Sequence, residues 1–325
     1  MQAFVAHGGR RGAAMRAWPQ APRPWVDLST GINPWPYPAP RASVGARNRL
    51  PEPERIAALE AVAARAFGLE DPDRVLATAG AESGLRLLPR VLGGETAWVK
   101  SPTYASHAAA WAGAGRRLLP GPEGALIQVV VNPNNPDGAL ESEEALAARA
   151  DAVSSRGGWL VVDESFVETV GAESVAALAH PRIVVLRSFG KFYGLAGLRL
   201  GFLVGDPDLI RRLRHIQGDW PVSVDAIAAG LAAYADHGWA ERTRVRLSRH
   251  AQRLDAALAQ TGFEVIGGTS LFRLARAADA AERFAALGAA GLLTRPFADH
   301  PQWLRFGLPT TNVYRRLAAA LGSPR

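Results

Sequence analysis

The chain has no cysteine, and of its 37 basic residues only Lys100 and Lys191 are lysine. Without cysteine there is no disulfide, no thiolate zinc site and no thiol nucleophile, and the composition suits a reducing compartment. No run of about 18 apolar residues is available to span a bilayer. The segment from Met1 to Ala21 carries arginines but no apolar leader core, so a cytoplasmic protein without membrane contact is expected. Low-complexity tracts, heptads and fixed-period repeats are missing too. No second acidic cluster at ligand spacing supports a metal, and none is expected. The lysine shortage has a further consequence: a reaction that needs an amine nucleophile has two side-chain candidates.

A net charge of +7 and a pI near 10.4 would suit a nucleic-acid partner. The arginines, however, are scattered through helical stretches such as Glu241 to Arg253. Arg211 and Arg212 form only a short cluster, and there is no long basic tail. Solvated helix faces explain this pattern, and no nucleic-acid partner is expected.

The first forty residues are rich in Pro, Gly and aromatics, from Trp18 and Pro19 to Pro36 and Pro38. That composition suits no regular element and predicts an extended arm whose tryptophans pack on the body. From Glu52 the pattern becomes helical, with Ile56, Leu59, Ala63 and Phe67 in phase and Gly68 as the stop. Short apolar strands then alternate with helices. The strands are expected at Arg74–Ala79, Thr96–Lys100, Leu126–Val131, Trp159–Asp163, Ile183–Arg187 and Leu200–Val204. Helices are expected at Glu82–Val91, Tyr104–Ala112 and Ser142–Ser155. This alternation argues for a largely parallel, helix-covered sheet. Asp206 to Gln260 reads as helix with breaks near Gly218–Pro221 and Gly238. A second, smaller α/β lobe follows, with strands at Phe263–Ile266, Leu271–Leu274, Leu292–Arg295 and Trp303–Phe306, and helices near Ala278–Leu287 and Thr310–Leu321. The expected division is an arm over residues 1–45, a large domain over 46–235 and a small C-terminal domain over 236–325.

Ligands in open α/β sheets bind beyond the carboxyl ends of the strands, and four polar segments sit at such ends. Thr78 to Gly84 is a strand, a glycine turn and a helix start; helix N-termini attract phosphate, although many such turns are only connections. Asn132-Pro133-Asn134-Asn135-Pro136-Asp137-Gly138 is a turn that also offers asparagine amides to an oxyanion. Trp159 to Glu164 is an apolar strand that delivers Asp163, readable as an acid partner, a helix cap or a metal ligand. Ser188-Phe189-Gly190-Lys191 continues to Arg199, which places serine, lysine and arginine at spacings of three and eight. A buried lysine is costly unless its pKa falls or it becomes an imine. Lys100 also follows a strand but lacks the Ser/Arg setting, so Lys191 is the stronger amine.

Together, and in order, these segments resemble fold-type I pyridoxal-phosphate enzymes of the class I and II aminotransferase superfamily, from about Glu52 to the C-terminus. The resemblance implies the aspartate aminotransferase-like fold: a large domain with a mostly parallel seven-stranded sheet and a smaller α/β domain. It implies that Lys191 holds pyridoxal phosphate as a Schiff base and that Asp163 pairs with the pyridine nitrogen. Asn135 would donate to the ring 3-oxygen, and Tyr104 would stack on the ring. Gly80, the amides of Ala81 and Glu82, Ser188 and Arg199 would hold the cofactor phosphate. Arg305 matches the arginine that binds the substrate carboxylate. Two positions depart from the family pattern. Phe166 stands where a tyrosine usually donates to the ring oxygen. Leu50 stands where a tyrosine usually reaches the partner subunit's cofactor phosphate. A homodimer is still expected from the resemblance.

The arm narrows the resemblance. His7-Gly8-Gly9, followed by Trp25-Val26-Asp27-Leu28-Ser29-Thr30-Gly31-Ile32-Asn33-Pro34, is similar to the threonine-phosphate decarboxylases of cobalamin biosynthesis, which are relatives of histidinol-phosphate aminotransferase. This implies a phosphorylated amino acid as substrate and an arm lying over the active site. His7, Gly8, Gly9 and Asn33 would contact the substrate phosphate with Arg295. Decarboxylation of L-threonine O-3-phosphate is the expected reaction. Transamination of the histidinol-phosphate type is the alternative, because both follow from which bond at Cα stands perpendicular to the ring. A non-catalytic regulator with an aminotransferase-like domain is a third reading, disfavoured because no helix-turn-helix pattern accompanies the arm.

Overall fold

The computed structural model describes residues 2–5, 7–171 and 174–322, so Met1 and Ala6 of the expected arm and the last three residues of the expected C-terminal domain lie outside the described residues. The chain divides into two compact units. One comprises Trp35–Asn135 and Ala139–Glu241; the other comprises the residues up to Pro34, Pro136–Gly138 and the residues from Arg242 onward.

The larger unit is built on a seven-stranded sheet. Its strands are β1 (Val75–Thr78), β2 (Thr96–Val99), β3 (Arg117–Leu118), β4 (Ile127–Val131), β5 (Trp159–Asp163), β6 (Ile183–Ser188) and β7 (Gly201–Val204), in the order β1-β7-β6-β5-β4-β2-β3. β7 runs antiparallel to both its neighbours and the other pairings are parallel. β4, β5 and β6 are buried along their whole length, which is why they read as unbroken apolar runs. Leu76, Ile127, Val161, Leu186 and Leu203 meet Leu85, Leu88 and Leu213 of the covering helices in one core. Those helices include α1 (Pro53–Ala66), α2 (Ala81–Val91), α3 (Ser106–Gly113) and α4 (Glu143–Ser154). α1 stops as expected, with Gly68 at φ +77° beyond the last turn.

The smaller unit carries a four-stranded sheet of β8 (Glu264–Thr269), β9 (Phe272–Arg276), β10 (Arg295–Pro296) and β11 (Trp303–Gly307), ordered β10-β11-β9-β8 and antiparallel throughout. Val26–Asp27 pairs in parallel with Leu292–Leu293.

Two expectations need correction, and one strand was not anticipated. The arm is not wholly extended: Arg11–Ala17 is an α-helix, because Ala13-Ala14-Met15-Arg16-Ala17 precedes the first proline and is made of good helix formers. The expected packing of its aromatics holds, since Trp18 meets Phe4, Trp25 and Phe284 with centroids 5.6–6.4 Å apart. The strand expected over Leu292–Arg295 is two short pieces with Thr294 between them. β3 went unpredicted because it is a two-residue, fully exposed edge strand with no periodicity to detect.

Candidate active site

A cavity of about 170 Å³ opens in the larger unit, lined by Gly80, Tyr104, Asn135, Asp163, Ser188, Lys191 and Arg199 among others. Its floor is the carboxyl end of β5 and β6. β5 ends on Asp163, which is 5% exposed. Burial alone would push this carboxyl up, but the His107 hydrogen bond and charge, with the hydroxyl and amide of Ser165, outweigh it and hold Asp163 below the usual carboxylate range. His107 Nε2 lies 2.9 Å from Oδ2; Ser165 donates to Oδ1 from its amide at 2.9 Å and from Oγ at 2.5 Å.

β6 ends on buried Ser188, and the short helix Phe189–Phe192 that follows presents Lys191 to the cavity. The turn is tight: a Cβ at Gly190 would lie 2.6 Å from Ala196 Cα. Lys191 Nζ sits 5.7 Å from the centre of the Phe166 ring. The departure at Phe166 is therefore a wall of the same cavity. Lys100 lies elsewhere and is engaged by Glu141 Oε1 at 2.6 Å, which separates the two lysines as the sequence suggested.

At the other end of the cavity, Gly80 has φ +86° and caps α2. The Arg199 guanidinium lies against it, since a Cβ at Gly80 would come 2.7 Å from Nη2. The start of α2 also touches β7: a Cβ at Gly201 would be 2.3 Å from the Ala81 amide nitrogen. A helix N-terminus, a serine hydroxyl and a guanidinium thus line one end of the cavity, a set suited to a phosphate dianion. Tyr104 donates its hydroxyl to Glu82 Oε2 at 3.2 Å and lies edge-on to His107, with centroids 6.2 Å apart.

The three asparagines of the turn have separate roles. Asn132 exchanges hydrogen bonds with the Glu141 backbone at 2.8 and 3.1 Å. Asn134 accepts from Thr103 Oγ1 at 2.6 Å and donates to the Pro102 carbonyl at 3.0 Å. Asn135 is the one that lines the cavity. Sequence reasoning missed His107 and Ser165. His107 lies in the first turn of α3, where a histidine carries no motif of its own. Ser165 closes a local turn on Asp163 that the sequence does not distinguish from other Asp-x-Ser runs.

The smaller unit holds the other candidates. Arg295 and Arg305 are cross-strand partners on β10 and β11 and are 7% and 4% exposed. Burial first, and then the charge of Arg295, lower the Arg305 pKa, with Asp27 opposing. Arg305 Nη2 donates to the Ser29 carbonyl at 2.5 Å, and Gly9 N donates to Ser29 Oγ at 2.8 Å. Asn33 is buried at 2% exposure, while His7 and Gly8 are partly exposed. Arg295, Arg305 and the Gly8–Gly9 segment are therefore neighbours of Ser29 or of one another within this unit. Leu50, in the larger unit, is 62% exposed.

Comparison with known proteins adds four relations. The family described as aminotransferase class I and II matches residues 24–321. The threonine-phosphate decarboxylase of Pseudomonas aeruginosa is 39% identical over 98% of this chain and 97% of its own length. That of a Sinorhizobium species is 36% identical over 99% of this chain and 98% of its own. The solved histidinol-phosphate aminotransferase of Sinorhizobium meliloti, a complex with pyridoxal-5'-phosphate, shares the fold with a TM-score of 0.84 at 23% identity, covering 96% of this chain and 93% of its own.

Proposed function

The chain belongs to the class I and II aminotransferase family, and from that premise we propose that it is a pyridoxal-phosphate-dependent lyase that decarboxylates L-threonine O-3-phosphate to (R)-1-aminopropan-2-yl phosphate, a step of cobalamin biosynthesis. The near-full-length relatives named threonine-phosphate decarboxylase support this reading. The observation that carries the substrate assignment is the buried cross-strand pair Arg295 and Arg305. Two adjacent buried guanidiniums can each fork onto an anionic group, and a phosphorylated amino acid brings two such groups.

The cavity chemistry suits the cofactor: one amine, one carboxylate held ionised, and a phosphate-sized cradle where added Cβ atoms at Gly80 and Gly201 would collide. When bound, pyridoxal phosphate supplies a cationic ring into which the electrons of a bond at the substrate Cα can flow. Lys191 would hold it through Nζ. Asp163, kept ionised by His107 and Ser165, would keep a proton on the ring nitrogen. Tyr104 would stack on the ring, and Asn135 would donate to its 3-oxygen. Ser188, Arg199, Gly80 and the amides of Ala81 and Glu82 would grip the cofactor phosphate. Arg305 binds the substrate carboxylate. Arg295 binds the substrate phosphate, assisted by His7, Gly8, Gly9 and Asn33. With the substrate amine in place of Nζ on the cofactor, Lys191 would be free to carry a proton: the Cα–carboxylate bond would break with its electron pair passing into the ring, carbon dioxide would leave, and Nζ would deliver to Cα the proton that replaces it.

A cytoplasmic homodimer is part of this reading. It is supported by the missing cysteines and by exposed Val44 and Leu50, at 72% and 62%, beside a groove of about 430 Å³ that includes Ile227. The deciding experiment incubates the cofactor-loaded protein with L-threonine O-3-phosphate and analyses the products. Carbon dioxide with aminopropanol phosphate is expected; a keto acid with pyridoxamine phosphate would move the protein to transamination.

A further inference from the structure

Residues 26–30 form a ledge in the smaller unit, bonded on both sides. Val26 N donates to the Gly291 carbonyl at 3.0 Å, Leu28 N to that of Leu293 at 2.7 Å, and Gly307 N to that of Leu28 at 2.6 Å. Ser29 is 1% exposed on this ledge. Its amide and hydroxyl both donate to Asp27 Oδ1, at 2.8 and 2.5 Å. The same hydroxyl accepts from Gly9 N at 2.8 Å, and the Ser29 carbonyl accepts from Arg305 Nη2 at 2.5 Å. Gly8 rests directly on the residue: a Cβ there would lie 2.4 Å from the Ser29 carbonyl oxygen and 3.0 Å from its Oγ. Gly9 has φ +79°, a conformation glycine adopts without penalty.

We infer that Ser29 is a positioning residue that fastens the His7–Gly9 loop to the base on which Arg305 stands, so that substrate meets loop and arginine already in register. The inference rests on the assignment of Arg295 and Arg305 to the two anionic ends of the substrate. One residue contacts both partners through different atoms: the carbonyl engages Arg305 and the hydroxyl engages Gly9. Asp27 orients that hydroxyl, because Oγ–H is donated to the carboxylate and only a lone pair is left for the Gly9 amide. With the Gly9 amide engaged by Ser29, an already ordered loop presents its remaining donors to an anion without a further ordering cost, whereas an unfastened loop charges that cost to substrate binding. Ser29 contacts no reacting atom in this scheme, so its loss falls on KM and not on kcat.

The test compares full-length, cofactor-loaded wild type with Ser29→Ala, which keeps the carbonyl and removes the hydroxyl. KM for L-threonine O-3-phosphate is expected to rise roughly threefold to tenfold, the loss of one ordinary hydrogen bond, with kcat unchanged within about twofold. The second readout is tryptic cleavage after exposed Arg10 and Arg11, followed by mass spectrometry. The wild-type bonds should be cut slowly, and more slowly still with L-threonine O-3-phosphate. In Ser29→Ala the cut should be several times faster and no longer slowed by that ligand. Gly8→Ala, which forces the loop off Ser29 by collision, should reproduce the faster cut with the ledge sequence unchanged. Equal cleavage and equal KM in wild type and Ser29→Ala would overturn the inference and leave the hydroxyl as a turn former. If wild type neither binds nor turns over L-threonine O-3-phosphate, the substrate assignment fails. The fastening itself is then still decided by cleavage without ligand.

Discussion

Asp163 is a buried carboxylate whose ionisation depends on its neighbours. Burial disfavours its charge, and His107 with Ser165 more than compensates. A folded-state pKa below the ordinary value means that the ionised group stabilises the fold above that value and ceases to do so as pH falls through the folded pKa. Replacing His107 with leucine removes the stronger donor and moves this loss to higher pH. Two measurements check it. The melting temperature of His107→Leu should begin to fall at a higher pH on acidification than that of wild type. Its kcat/KM at neutral pH should drop about 10- to 100-fold, as expected for one hydrogen bond to a charged group. Unchanged pH profiles would remove His107 from the account. Phe166 is the complementary case: buried at 4%, it offers the cavity a wall and no donor. Lys191, Asp163, Asn135 and Arg199 were legible in the sequence because each is tied to a strand end or a glycine turn. His107 was not, because a histidine on a helix carries no motif of its own until the fold sets it against Asp163.

At the level of elements, the cavity depends on backbone contacts that exclude side chains. β7 touches the first turn of α2 at Gly201, so Gly201→Ala should push the helix N-terminus away from Ser188 and Arg199. The expected result is a cofactor dissociation constant raised at least about tenfold, with a stability loss of about 1–3 kcal/mol for overpacking. Cofactor titration followed by absorbance reads the first, and denaturant unfolding the second. Beneath the same strand ends lies a buried ion cluster: Arg187 meets Glu164 Oε2 at 3.1 Å and Glu168 Oε1 at 2.8 Å, over the Phe67 ring. Alternation along β5 and β6 puts Asp163 and Ser188 on the cavity side and Glu164 and Arg187 away from it. Arg187→Met strands two buried carboxylates and should cost about 3–5 kcal/mol, measured by urea unfolding; a loss below about 1 kcal/mol would mean the cluster is not needed. The strands themselves were readable from their apolar runs. The helix Arg11–Ala17 was not, because the prolines and glycines around it masked a short stretch of good helix formers.

Across the whole molecule, some features follow only from three-dimensional packing. Pro136–Gly138 belongs with the unit that contains β8 because Gly268 N donates to the Asp137 carbonyl at 2.7 Å and a Cβ at Gly138 would lie 2.0 Å from the Gly268 carbonyl oxygen. No local periodicity encodes such an approach. Pairing of Arg295 with Arg305 likewise depends on the register of β10 on β11, although both residues were identifiable as arginines at strand positions. Composition, by contrast, speaks for the entire chain. Two lysines among 37 basic residues leave few amines that can carry an aldehyde, which makes one measurement decisive. The cofactor-loaded protein is reduced with borohydride, digested and mapped by mass spectrometry. A single pyridoxyl label is expected on the peptide containing Lys191, with none on Lys100 or the terminal amine. A label on either of those amines, or no label at all, would contradict it.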